Sequence, residues 1–212
     1  MTSPRSHLIS ALIAVNSVIL SVGLFVTATS HGTPFPVIDF GIGHRWPADH
    51  RNLAVVDRTG DAGWHQAVTD AVATWDRGGS AIGLTLTVGT GPCHQERDHI
   101  ELCQESAARI AARGSQGEQG LFIPVSSHRE YRSAIVLVCS DCDGVDEERQ
   151  TVIATHELGH ALGLAHNPNP ESVMYFLGGS LEPDASDYEI LRAREGTRPP
   201  MVQTAGRPAS GG

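Results

Sequence analysis

The sequence predicts one α+β domain, a sheet with a helix buried at its centre, and three observations predict it. Trp64, Val68, Val72 and Trp75 recur at the spacing of one helix face. Ile82 to Val88 alternates apolar residues with Gly and Thr, the period of a half-buried strand, while Ala134 to Val138 runs without a polar residue, as an interior strand does. A later helical segment carries Val152 and Ile153 on one side and Leu158 and Leu162 on the other, so it must be buried on both. With 212 residues the chain suits one domain better than two.

Taken in order, Arg5 and His7 precede an uncharged run from Leu8 to Val26, and Ala28-Thr29-Ser30 supplies the small residues that suit cleavage after Ser30. Residues 1–30 are therefore expected to be an export signal. An uncleaved anchor is the alternative, since the run is long enough to span a bilayer; Asn16 and the serines favour cleavage. The domain proper is expected over 31–196. Arg45-Trp46-Pro47 and Leu53 to Val56 read as an opening strand region. Asp61 is a fitting N-cap for the Trp64 to Trp75 helix, and Gly78-Gly79 a stop. His99 to Cys103 is a short strand, and Ala107 to Gly120 a surface connection. Pro124 cannot donate to a ladder, which puts the strand Leu121 to Val125 at a sheet edge.

Asp146, Glu147 and Glu148 stand where negative charge favours a helix N-terminus. Asn167-Pro168-Asn169-Pro170 is a constrained loop. Asp184 to Glu195 is a closing helix with Tyr188, Ile190 and Leu191 available for packing, and the Pro-, Gly- and Ser-rich residues 197–212 form a disordered tail.

A net charge of -9 argues against nucleic acid and against an electrostatic grip on anionic lipid, so a membrane is a partner only if the N-terminal segment stays uncleaved. Four cysteines suit an oxidising compartment. Three pairings are open; the local one, Cys93 with Cys103 and Cys139 with Cys142, is preferred.

The chemistry concentrates in His156-Glu-Leu-Gly-His-Ala-Leu-Gly-Leu-Ala-His166. On a helix, His156 and His160 stand one turn apart on one face, where two imidazoles reach one metal ion. Glu157 lies about 100° round the helix, at the flank of that face, within reach of a water but not of the metal itself. Gly163 lets the helix stop and the chain swing back, so that His166 can return as a third ligand. Three neutral imidazoles with a fourth position open is the pattern of a catalytic zinc site.

With Ser172-Val173-Met174-Tyr175 downstream, this motif resembles that of the metzincin metalloproteases, and of the matrixins most closely. Ile135 to Val138 and Trp64 to Trp75 resemble the family's buried strand and first helix, and the likeness extends from about Arg45 to Glu195. It implies a metzincin-like zincin fold, a twisted mixed sheet with a central zinc-binding helix and a small C-terminal subdomain forming the lower lip of a cleft. It further implies one catalytic Zn2+ on His156, His160 and His166, Glu157 as general base, Met174 packed beneath the metal, and Tyr175 in the wall of the specificity pocket. The edge strand at Leu121 to Val125 would hold an extended peptide by strand addition. Calcium (Ca2+) enters as a second cofactor because the family often binds it, although Asp141 to Asp146 do not make an intact calcium loop.

The function implied is a secreted, monomeric zinc metalloendopeptidase acting on protein or peptide. The alternatives are a zinc-bearing extracellular binding or adhesion module without turnover, and hydrolysis of a non-peptide amide. Phe176 and Asn167 depart from the matrixin pattern, where proline and serine are usual. The Pro-Arg-Cys-Gly latency motif is missing, so latency through a cysteine on zinc is not expected.

Overall fold

The computed structural model describes residues 44–114, 117–177 and 179–196; the expected export segment and tail lie outside the described residues. Within them the chain runs β1 (Asn52–Asp57), α1 (Ala62–Arg77), β2 (Gly83–Val88), β3 (His99–Glu105), α2 (Ala107–Ala111), β4 (Gly120–Ser127), β5 (Glu130–Cys139), α3 (Glu147–Ala161) and α4 (Ala185–Glu195). The strands form one sheet in the order β2-β1-β3-β5-β4. Four are parallel; β4 runs antiparallel to β5, which makes the sheet mixed, as expected.

Successive side chains on a strand point to opposite faces, and here that alternation sorts the core in two. Ile100, Leu102, Phe122, Val136 and Val138 join the large cluster with α1 and α3, while Cys103, Leu121, Leu137 and Cys139 join a smaller one with Ile110 of α2. The helices of the large cluster lie side by side, α1 against β1 and β2, α3 against β4 and β5. Trp64, Val68 and Trp75 are buried, as the helical stripe requires, and the Asp61 carboxylate caps α1 by accepting from the Trp64 N–H at 3.0 Å. Two buried indoles also tie α3 down. Trp75 Nε1 donates to the Thr155 carbonyl at 2.8 Å and Trp46 Nε1 to that of Ala161 at 2.9 Å.

The smaller cluster contains both disulfides, Cys93–Cys103 and Cys139–Cys142, the preferred local pairing. Two expectations need correction. Ala107 to Gly120 is more than a surface connection, because its first residues form α2, whose Ile110 is fully buried; a helix of five residues is too short to display a period. Ile190 is not part of the packing of α4: it is 48% exposed, whereas Leu191 is buried and Tyr188 packs on the edge of Trp75.

Pro124 does lie at the sheet edge, in β4. The Cys139 N–H donates to the Gln119 carbonyl at 2.9 Å, so Gln119 faces β5, and by alternation Gly120, Phe122 and Pro124 turn their backbone groups to the open side. The proline ring therefore removes no bond from the ladder. The register shifts between Val125 and Ser126, and His128 and Arg129, both at positive φ, form the tight turn into β5.

Candidate metal centre and active site

Asp146 starts α3 by accepting from the Arg149 N–H at 2.9 Å, with Glu147 and Glu148 in the first turn. The Asp141 carboxylate accepts from the Ala107 N–H, so two of the acidic residues before the helix serve local structure. The helix ends at Ala161, and Gly163, at φ 93°, reverses the chain. That reversal brings the Leu164 carbonyl to His160 and returns His166 to the face of His156 and His160.

The three Nε2 atoms lie 3.1 Å (His156 to His160), 3.3 Å (His156 to His166) and 3.3 Å (His160 to His166) apart. His156 Nδ1 donates to the Val173 carbonyl at 2.7 Å and His160 Nδ1 to the Leu164 carbonyl at 2.8 Å. A carbonyl only accepts, so these bonds fix the proton on Nδ1 and leave Nε2 with a bare lone pair. Burial pushes the His156 pKa down to about 4, against the pull of the Val173 carbonyl and aided by His166. Burial, with His156 beside it, also holds His160 well below the usual imidazole range. Both are neutral at physiological pH, the form that binds metal. Ligand nitrogens about 2.0–2.1 Å from a tetrahedral zinc are about 3.3–3.4 Å apart, so the three side chains fit the ion as they stand.

Met174 is fully buried, with its Sδ against the turn of α3 at Gly159. A Cβ at Gly159 would come within 2.3 Å of Met174 Sδ and 2.7 Å of Trp75 Cζ2, so the bare backbone of this helical turn is what admits the thioether. The loop is clasped from α4. Asp187, 2% exposed, accepts from the Asn167 side-chain amide at 2.7 Å and the Ser172 hydroxyl at 2.5 Å, while the Ser172 oxygen accepts from the Met174 N–H at 2.8 Å. Asn167 is thus built into the clasp through its amide. Tyr175 follows Met174 with its ring 4.8 Å from that of Phe176, and Phe176 and Leu177 are exposed.

Glu157 is buried, 8% exposed, on the turn of α3 that carries His156. Burial first, and the charge of Glu118 second, push its pKa up to about 8, against a hydrogen bond donated by the Phe122 backbone N–H. A positive charge held by the imidazoles favours its ionised form. The Phe122 ring stacks on His160 with centroids 6.3 Å apart. All six residues singled out from the sequence, His156, Glu157, His160, His166, Met174 and Tyr175, therefore lie on α3 or on the loop folded against it. Asp187 went unseen, although its place three residues after a capping Asp184 was a signal for a capping box. Gly120 and Phe122 also went unseen, and no local pattern marks them.

Among curated relatives, the archaemetzincin of Pyrobaculum aerophilum is 39% identical over 77 residues, 36% of this chain and 46% of that protein; the match spans less than half of the relative's length. Among solved structures, the archaemetzincin of Methanopyrus kandleri is similar at 18% identity over 72% of this chain and 96% of that one, with a TM-score of 0.44. Myroilysin is similar at 11% identity over 72% and 95%, with a TM-score of 0.43. The model of the matrixin family matches residues 61–187, more than half of the sequence and all of the histidine site, and the chain belongs to that family.

Proposed function

We propose that the chain is an exported zinc endopeptidase, with His156, His160 and His166 holding the metal and Glu157 as general base. The observation that carries this reading is the convergence of three histidine Nε2 atoms, 3.1 to 3.3 Å apart, beside a buried carboxylate. Zinc, when bound there, supplies a Lewis acid that acidifies a water and polarises a carbonyl. Val173 and Leu164 orient the rings of His156 and His160, and Met174 fills the space below. Glu157 accepts the proton of the attacking water as its oxygen adds to the peptide carbonyl carbon. It then delivers that proton to the nitrogen as the C–N bond breaks.

Tyr175 forms a wall of the pocket for the substrate side chain, and the open edge of β4 holds the substrate backbone by strand addition. Two disulfides suit export, and the molecule works as a monomer. Retention of Glu157 favours turnover over a pure binding module, which needs no base there.

Glu157→Gln keeps size and hydrogen bonding but removes the base. It should bind one zinc per chain, fold as the wild type does, and hydrolyse peptide at least about a hundredfold more slowly. A chelator should abolish wild-type turnover and added zinc restore it. Turnover of Glu157→Gln within a few fold of wild type would remove Glu157 from the mechanism.

A further inference from the structure

The first residue of β4 meets the middle of α3 with no side chain between them. A Cβ built at Gly120 would lie 2.7 Å from Glu157 Cγ, 2.8 Å from its Oε1 and 2.8 Å from Ile153 Cγ2, closer than such atoms approach without displacement. Gly120 does not have a positive φ, so what the glycine provides here is space and not an unusual backbone conformation. Two residues on, the Phe122 N–H turns to the same open side of the strand and donates to the Glu157 carboxylate.

We infer that Gly120 is a positioning residue for Glu157: bare backbone at the start of β4, with the Phe122 N–H, forms a seat that fixes where the carboxylate stands. The strand itself is fixed from behind, because Gly120 pairs with Val138 and Phe122 with Val136 in the interior strand β5. A methyl group at position 120 overlaps both Glu157 and Ile153. Either these side chains swing aside or α3 moves off the sheet, and α3 is anchored by the Trp75 and Trp46 hydrogen bonds. The carboxylate gives way. This inference rests on Glu157 being the base.

The test is a double-mutant cycle on the full chain, with kcat, KM and zinc content measured for wild type, Gly120→Ala, Glu157→Gln and the double variant. Misplacement by about 1 Å can cost roughly a hundredfold in rate. Gly120→Ala is therefore expected to lower kcat about ten- to a hundredfold, with KM within about twofold and one zinc retained. In the Glu157→Gln background the same substitution should cost no more than about twofold, since the carboxylate it displaces is already gone. Equal losses in both backgrounds, or an unchanged kcat for Gly120→Ala, would overturn the positioning role while leaving Glu157 as the base. Wild-type turnover in Glu157→Gln would instead remove the base assignment and the inference with it. If Gly120→Ala does not fold, Gly120→Ala/Ile153→Ala is compared with Ile153→Ala, because that pair removes the overlap with Ile153 and leaves the one with Glu157. The same kcat loss is expected there, and its absence would overturn the inference.

Discussion

On one face of the sheet Trp46, Trp64 and Trp75 are buried with α1 and with α3, which carries His156 and His160, whereas on the other Ile110, Leu121 and Leu137 gather around two disulfides. The first face has enough apolar surface to hold itself by packing; burying one large aliphatic side chain stabilises by roughly 1.5–3 kcal/mol. Among the described residues the second carries one five-residue helix and the loops that hold Cys93 and Cys142, and covalent bonds supply what packing does not. All the residues proposed to bind metal or move protons project from the packed face or from the loop beneath it. The geometry of the site should therefore depend on packing, and the disulfides should affect only how long the domain survives.

Substitutions can break that contrast or sharpen it. Gly159→Val has the largest expected effect, at least about 3 kcal/mol, the upper end of overpacking, because Met174 and Trp75 must both move; zinc content and thermal melting measure it. A folded variant with one zinc per chain would show that packing does not set the site. Replacing Cys93 and Cys103 by Ser opens a loop of sequence separation 10 and should cost about 3 kcal/mol, seen as a lower Tm, with zinc stoichiometry and kcat unchanged at temperatures where the domain stays folded. Zinc loss there would erase the distinction between the faces.

Met174→Leu is close in volume and should cost less than about 1.5 kcal/mol while keeping zinc and most activity; outright zinc loss would mean that the thioether does more than pack. The smallest effect belongs to Asp184, the N-cap of α4. Desolvation opposes its charge, but hydrogen bonds from Ser186, Asn169 and the Asp187 backbone outweigh this and hold its pKa down to about 2. The folded value lies below the unfolded 3.8, so the cap's contribution is complete above pH 3.8 and fades as pH falls towards 2. Asp184→Ala should cost about 1 kcal/mol at neutral pH, and the Tm gap to wild type should narrow across that interval.

What the sequence disclosed was local. The four-residue step from His156 to His160, the swing allowed by Gly163, the Asp61 cap and the tryptophan stripe of α1 lie within a few residues of one another, where helix geometry alone relates them. The edge placement of Pro124 followed from a missing N–H. By contrast, the turn at His128 and Arg129 uses positive φ without Gly or Asn, so no turn residue announces it. The Asp187 clasp joins residues 15 and 20 positions away, and Gly120 meets Glu157 only through the packing of α3 against β4. Such contacts have no period to read.

Pro124 also bears on how concentrated this protein can become. An open strand edge is a template for any extended chain, and the chain always present in quantity is another copy of itself. Along β4 the outward-facing position at Pro124 offers a carbonyl but no N–H, and the register breaks one residue later, between Val125 and Ser126. A sister strand laid on this edge meets a missing bond and then a twist, so no long ladder between copies can propagate, while a short guest still finds Gly120 and the carbonyl of Phe122. The proline thus works against self-association at the same edge that is proposed above to hold substrate.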